Sequence, residues 1–343
     1  MSESVLARLL VPDPLSAAEA RAVFERLVDP ATSETERGGI LVALAGRPAD
    51  AGELAAFATE MRRRARPFEV PDGDAPIDLC GSGGAPTPSF NVSTVSAFVV
   101  AAAGVPVVKH GNRSASGICG SSDLLEALGL PVTTSLEYAR ATYDARKIAF
   151  LHAPLYHPAT GAVAGARRAL GIPTIFNRLG PLSNPARVPY QLAGAPSTDG
   201  ARLFADVFGR LGVDCGASMA SDDGCDEFSP RARTTAYVWT KAGRKMRFVR
   251  PEAHLTREER LGSWTALPAP QAAAEAQRIL RGGAGARRGS VILTSATAFW
   301  LTGHVPTFSD GIDRARQVLD GGEAAELLSE LREIAPSFRG GPG

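Results

Sequence analysis

Between residues 77 and 220 the sequence alternates short apolar runs with helical stretches, and no other feature so narrows what the chain can fold into. The runs at 77–80, 105–108, 148–151, 191–195 and 217–220 have the length of strands and are largely apolar, as strands buried on both faces must be. The segments between them, at 93–103, 122–128, 135–144, 160–170 and 200–211, repeat apolar residues at helical spacing. Such an alternation predicts a mainly parallel sheet flanked by helices.

The flanking regions read differently. Stretches 16–28, 34–45 and 52–65 each carry one apolar helical face, and Pro67 and Pro71 follow as a linker. Arg62, Arg63 and Arg64 close the third stretch where cations suit the negative end of the helix dipole, and read as a solvated cap. Beyond Gly224, residues 233–250 predict a β-hairpin, three helices are expected up to Ile334, and residues 336–343 read as a disordered tail. The glycines at 282, 283 and 285 suggest a mobile loop. The fold class expected is therefore α/β: a small helical domain at 1–70, with part of 155–188 packing on it, and a larger α/β domain at 71–335 with a mainly parallel central sheet.

Composition narrows the function. Lys and Arg number 37 against 36 Asp and Glu, and this balance gives no general pull toward nucleic acid or an anionic membrane. The longest apolar stretch, 94–108, is interrupted by Ser96, Gly104 and Pro106 and is shorter than the ~20 residues a spanning helix needs. No basic segment leads into a long apolar one at the N-terminus, so a cytoplasmic location is expected. Cys80, Cys119, Cys215 and Cys225 form no C-x-x-C pair and read as reduced thiols.

Three loops carry the chemistry. Residues 78–84 (DLCGSGG) place Gly81, Gly83 and Gly84 directly after a strand, either as a tight turn or as a cradle of bare N–H groups for an anion. Asn91, Ser93 and Thr94 open the next helix, where hydroxyls and unpaired N–H groups converge. Lys109, at the end of the following strand, brings a cation to the same carboxyl edge, where open α/β sheets bind ligands. Together the three favour a phosphate site. Asp222, Asp223, Asp226 and Glu227 crowd four carboxylates into six residues, as a solvated turn or as a platform for Mg²⁺ shared with substrate oxygens.

In order and spacing, residues 78–129, the run 177–185 (NRLGPLSNP) and the Asp226–Glu227 pair resemble the anthranilate phosphoribosyltransferase family, over nearly the whole chain. The resemblance implies transfer of the phosphoribosyl group of 5-phosphoribosyl 1-diphosphate to the amine of anthranilate, a step of tryptophan biosynthesis, with Mg²⁺ as cofactor and a homodimer as the working form. It places Gly81, Gly84, Ala85, Ser89, Asn91, Ser93, Thr94, Lys109, Asn112 and Ser121 on the donor, and Ser93, Asp226 and Glu227 on the metal. Gly81, His110, Asn112, His157 and Arg167 fall at the acceptor. From spacing alone, Arg167 reads as a solvated helical arginine, and His110 and His157 read equally well as ordinary structural histidines.

The resemblance breaks at Ala85, where an acid ends the family's Gly-Gly-Asp loop, at Ile118, and at Ser221-Asp222 in place of His-Gly. These departures leave open a paralogue that ribosylates another small aromatic amine. A pyrimidine nucleoside phosphorylase and a catalytically lapsed nucleic-acid-binding relative are the more distant alternatives.

Overall fold

The computed structural model describes residues 5–82, 87, 89–114 and 118–338. Among these, seven strands form one sheet: β1 (Ile77–Cys80), β2 (Val107–Gly111), β3 (Ile148–His152), β4 (Tyr190–Gly194), β5 (Cys215–Ser221), β6 (Thr234–Thr240) and β7 (Gly243–Val249). Their order is β3-β2-β1-β4-β5-β6-β7; the first five are parallel, and the hairpin β6–β7 extends the sheet antiparallel. The chain runs outward from β1 to β3 and then returns to lay β4 on the other side of β1. That reversal opens a crevice at the carboxyl ends of β1 and β4, the switch point where such sheets take ligands.

The second strand differs from its expected span in a way that matters. Pro106 has no N–H for the ladder, so pairing begins at Val107 and continues through Lys109 and His110 to Gly111. Both side chains therefore belong to a rigid buried strand rather than to the loop after it.

Helices cover both faces of the sheet. The N-terminal group is α1 (Val5–Leu9), α2 (Ala17–Val28), α3 (Glu34–Gly46) and α4 (Ala51–Arg63). Ser16, Ser33 and Asp50 accept the N–H three residues on and so start α2, α3 and α4. Next come α5 (Val92–Ala102), α6 (Ser121–Ala127), α7 (Leu136–Arg146), α8 (Ala153–Tyr156), α9 (Gly161–Leu170), α10 (Ile175–Leu179) and α11 (Thr198–Arg210). After the hairpin stand α12 (Ala269–Leu280), α13 (Ala286–Leu301), α14 (Phe308–Gly321) and α15 (Glu323–Ile334). Helices α9 and α10 pack on α3, and one apolar cluster runs from α2, α3 and α4 through α9 and α11 to Cys80, Ala193 and Ala220 of the sheet. The other face is covered by α5, which is buried almost all round beneath α13 and α15.

Four sequence expectations need correction. Four helices, not three, follow the hairpin, because Gly282 and Gly285 take positive φ (83° and 119°) and break an otherwise helical run into α12 and α13. The expected mobile loop there is a tight turn, with Gly282 and Gly283 donating N–H groups to the carbonyls of Ile279 and Arg278 at 2.9 and 2.8 Å. Residues 336–338 of the expected tail continue as a 3-10 turn, and the Phe338 ring packs 5.8 Å from that of Tyr138; residues 339–343 lie outside the described residues. Arg62 is not solvated: it is buried, and its Nε donates to the carbonyl of Leu182 at 2.7 Å across the helix–sheet boundary.

Phe98 of α5 is fully buried, with its ring 5.2 Å from that of Phe150 on β3, and joins helix to sheet under the site. Phe98→Ala is expected to lower the unfolding free energy by about 3–5 kcal/mol in urea titrations, and a loss below about 1 kcal/mol would contradict this packing role.

Candidate active site at the carboxyl edge of the sheet

The crevice between β1 and β4 exists because two glycines leave it open. A Cβ on Gly194, at the end of β4, would lie 1.7 Å from the carbonyl oxygen of Asp226. A Cβ on Gly81, just past β1, would sit 3.1 Å from Asp226 Oδ2 and 3.4 Å from Glu227 Oε1. With hydrogen in both places, the segment after β5 folds back over the strand ends and delivers its two carboxylates into the crevice.

The four carboxylates of the acidic segment separate into two pairs. Asp222 and Asp223 are exposed and satisfied locally: Arg233 Nε lies 3.0 Å from Asp222, and the Ser229 hydroxyl donates to Asp223 at 2.8 Å. Asp226 and Glu227 are buried. Asp226 Oδ2 accepts from the N–H of Ser82 at 2.6 Å and from its hydroxyl at 2.7 Å, which ties the first glycine loop to the acidic pair. Glu227 Oε1 accepts the N–H of Ser93 at 3.2 Å, so a carboxylate occupies the anion-attracting start of α5. Among the described residues its other oxygen, Oε2, is buried without a partner at hydrogen-bond geometry, although the Ser93 side chain approaches the carboxylate.

Lys109 supplies the compensating charge. It is 3% exposed, and its ammonium donates to the carbonyl of Leu79 and to Ser93 Oγ, the latter at 3.3 Å. Around this one cation stand Glu227, Asp226 and, one layer below, the fully buried Asp78. Burial, with Asp226 adjacent, pushes the Glu227 carboxyl up to about 8 despite the pull of Lys109. Burial likewise raises Asp78, whose oxygens accept from the N–H of His110 and from Gln191 Nε2, each at 3.2 Å. Among the described residues no three His, Cys, Asp or Glu side chains converge as a metal cage. Two carboxylates, one with an unused buried oxygen, beside the Ser93 hydroxyl fit a hard cation that takes its remaining oxygens from substrate and water.

The third loop is built on backbone. The Ser121 hydroxyl accepts from the N–H of Asn112 and donates to its carbonyl, both at 3.1 Å. Asn91 does not cap α5; its Nδ2 donates instead to the carbonyl of Cys119 at 3.0 Å, which joins the second loop to the third. Thr94 is buried, Ser89 forms an isolated bridge with Thr265, and Ile118 is 55% exposed. Gly83, Gly84 and Ala85, and residues 115–117 of the third loop, lie outside the described residues.

On the helical side, His110 and His157 meet edge to face with ring centroids 5.0 Å apart. His110 Nδ1 lies 3.2 Å from the carbonyl oxygen of Gly180, while His110 Nε2 and both His157 nitrogens are buried without a hydrogen-bond partner among the described residues. The carbonyls of Met61 and Ser183 approach His157 without completing hydrogen-bond geometry. Burial chiefly depresses both rings, His110 to about 3 and His157 to about 4, so both are neutral imidazoles. Arg167 is half-buried rather than solvated, its guanidinium 5.4 Å from the centre of the Phe176 ring and 3.4 Å from Asn177 Oδ1. Desolvation lowers its pKa.

Sequence spacing brings Gly81, Ser93, Lys109, Asp226 and Glu227 to one place, and the structure assembles them there. It places His110 and His157 beside Met61 of α4 and the 180–183 turn, and Arg167 of α9 against Phe176 and Asn177 of α10. Spacing alone missed Asp78 and Gln191, whose polarity inside strands was the available signal. It also missed Arg62, buried at the same boundary and lowered to about 10 by desolvation first and Arg187 second.

Residues 73–325 match the glycosyl transferase family, a/b domain, and residues 3–65 its helical bundle domain. Anthranilate phosphoribosyltransferase 2 of Streptomyces coelicolor is 38% identical over 92% of this chain and 94% of its own length. The crystal structure of anthranilate phosphoribosyltransferase from Thermus thermophilus superposes with a TM-score of 0.87 at 33% identity, covering 97% of this chain and all of that one. The Saccharomyces cerevisiae enzyme, solved in complex with PRPP and Mg, shares the fold at a TM-score of 0.85 and 23% identity, with 97% of each chain covered.

Glu227 makes stability depend on pH in a definite direction. Its carboxyl rises from 4.5 to about 8 on folding, so its protonated form favours the folded chain, and that advantage is lost as pH climbs through this window. Without metal, the wild-type melting temperature is expected to fall between those limits, and Glu227→Gln to flatten the fall. Parallel melting profiles for the two proteins would contradict the assignment.

Proposed function

Because the chain belongs to the anthranilate phosphoribosyltransferase family, we propose that it transfers the phosphoribosyl group of 5-phosphoribosyl 1-diphosphate to the amine of anthranilate and releases diphosphate. The observation that carries the proposal is the buried, unpartnered oxygen of Glu227 beside Lys109 and Ser93, a site whose charge is completed by a cation and phosphate oxygens.

In this reading the barrier is departure of diphosphate from a sugar that develops positive charge at C1. The Lys109 ammonium and the Ser93 hydroxyl face the leaving group from a fixed strand and a fixed helix, so little reorganisation accompanies the reaction. Asp226, Glu227 and Ser93 are the residues that would hold Mg²⁺, and Glu227 gives up its proton as it does so. Bound Mg²⁺ supplies a Lewis acid that neutralises charge on the diphosphate oxygens. Asn91, Thr94, Asn112, Ser121 and Ser89 surround the donor, and Gly81 leaves room where donor and acceptor meet.

The acceptor needs no strong base, since an aromatic amine is already neutral near pH 7. Arg167, whose contact with Asn177 is long, would exchange it for a charge-assisted bond to the anthranilate carboxylate. His110 and His157 remain neutral and offer unpartnered ring nitrogens to the acceptor's polar groups. A cytoplasmic homodimer belongs to the same reading: Leu10, Val11 and Val42 leave apolar surface on or beside the packed helices α1 and α3 that a second copy would cover. Exposed Ile118 beside the third loop favours, as a second reading, an acceptor other than anthranilate.

Loss of anthranilate fluorescence on adding donor is expected with Mg²⁺ and not with a chelator. Turnover of other aromatic amines alone would favour the second reading. Arg167→Ala is expected to raise the KM for anthranilate at least about tenfold with little change for the donor. Equal effects on both substrates would remove Arg167 from the acceptor site.

A further inference from the structure

Behind the third loop lies a buried polar pair with no part in the chemistry described so far. His152 ends β3 in register with Gly111 of β2 and is 7% exposed. Its Nδ1 is 2.9 Å from Oγ of Ser122, which is 2% exposed in the first turn of α6. A small cavity lies between this pair and the donor side, lined in part by Lys109, Gly111, Ser121, Ser122, Phe150 and His152.

The pair is tied to the third loop through one residue step. The N–H of Ser122 donates to the carbonyl of Asn112 at 3.1 Å, the same carbonyl that takes the Ser121 hydroxyl. Gly111 leaves no slack in this arrangement, since a Cβ there would lie 2.2 Å from Ser121 Oγ. Helix α6 has only seven residues, and its N-cap Gly120 has no side chain to cap it. So short a helix is held by its tertiary contacts rather than by its own hydrogen bonds. Its first turn is held to the loop by the bonds of Ser121 and Ser122 to Asn112 and by the Asp123 carboxylate, which accepts the N–H groups of Ser114 and Gly120 at 3.0 and 2.9 Å, and it is held to the end of β3 by the Ser122–His152 bond. Asp123, with Arg113, Ser114 and Gly120 as its partners, binds α6 to its own loop. Among the described residues, the Ser122–His152 bond is the hydrogen bond that joins α6 to a strand of the sheet.

We infer that His152 is a positioning residue for donor binding: through Ser122 it fixes the start of α6 and thereby holds Ser121 and Asn112 in place against the phosphates of the donor. The inference rests on the phosphoribosyl-transfer reading above. Burial lowers the pKa of His152, so the imidazole stays neutral and its bond to the serine persists through the physiological range.

The test is a set of variants of the full chain: His152→Leu, Ser122→Ala, the double variant, and His152→Asn, whose amide can occupy the place of Nδ1. Donor affinity is read by calorimetry with Mg²⁺ present, and KM and kcat for both substrates by anthranilate fluorescence. Each disruptive single variant is expected to weaken donor binding about tenfold, with kcat and the anthranilate KM within about twofold, and His152→Asn to recover most of the loss. The double variant leaves no buried group unpartnered, so its melting temperature is expected to return toward that of the wild type while donor binding stays about tenfold weak. Donor binding that recovers together with the melting temperature, or an equal rise in both KM values, overturns the inference and leaves a packing role. A wild type that binds donor but ignores anthranilate overturns the acceptor assignment alone, and calorimetry still decides the role of His152. A wild type that binds no donor overturns both.

Discussion

A carboxylate oxygen buried without a partner is the constraint on which the rest of the site depends. Leaving a charged group desolvated and unpaired costs several kcal/mol, and folded chains tolerate it where something else completes the charge. Among the described residues, Glu227 Oε2 is such an atom. Its neighbours sharpen the imbalance: Asp226 and Asp78 add negative charge, and Lys109 is the ammonium that faces them. A protonated Glu227 relieves the tension in the isolated chain. A divalent cation with phosphate oxygens relieves it more fully, so the ligand supplies part of what the fold lacks.

The backbone makes that arrangement rigid. Reversal of strand order at β1 opens the crevice, Gly194 and Gly81 let the acidic segment close over it, and the Ser82 and Ser93 N–H groups fix the two carboxylates. Lys109 projects from within a strand whose register is fixed on both sides by β1 and β3. Catalysis by placement and electrostatics needs such preorganisation, since groups that must move to meet developing charge lose much of their effect. On the other flank, neutral His110 and His157 leave ring nitrogens without partners among the described residues, and Arg167 is partly desolvated. Stability is sacrificed on both sides of the crevice, as happens where a fold holds strained or unpaired groups at a site.

Much of this was legible in the sequence because it is local. Apolar strands of four or five residues between helical stretches specify the parallel sheet, and Gly81 and Ser93 fall at a strand end and a helix start by spacing alone, whereas Lys109, read as the end of its strand, lies within it. What stayed hidden depends on residues far apart in the chain. The bond between Ser122 and His152 spans thirty positions, and neither residue has neighbours that suggest it. Arg62 looked like a helix cap because the helix ends there; its burial comes from Leu182, which only the fold brings near. Arg167 reads as solvated beside Arg168, and packing on Phe176 half-buries it. The split of the acidic segment into an exposed and a buried pair was also illegible, since it follows from the turn at Gly224, where φ is 81°, and from the space left at Gly194.

The most direct test is calorimetry of 5-phosphoribosyl 1-diphosphate binding with Mg²⁺ at about pH 7, repeated in buffers of different ionisation enthalpy to count protons. With Glu227 raised to about 8, the wild type is expected to release close to one proton more than Glu227→Gln does as the site fills. Equal proton release by the two proteins, or no binding by the wild type, would contradict a buried carboxyl completed by its ligand.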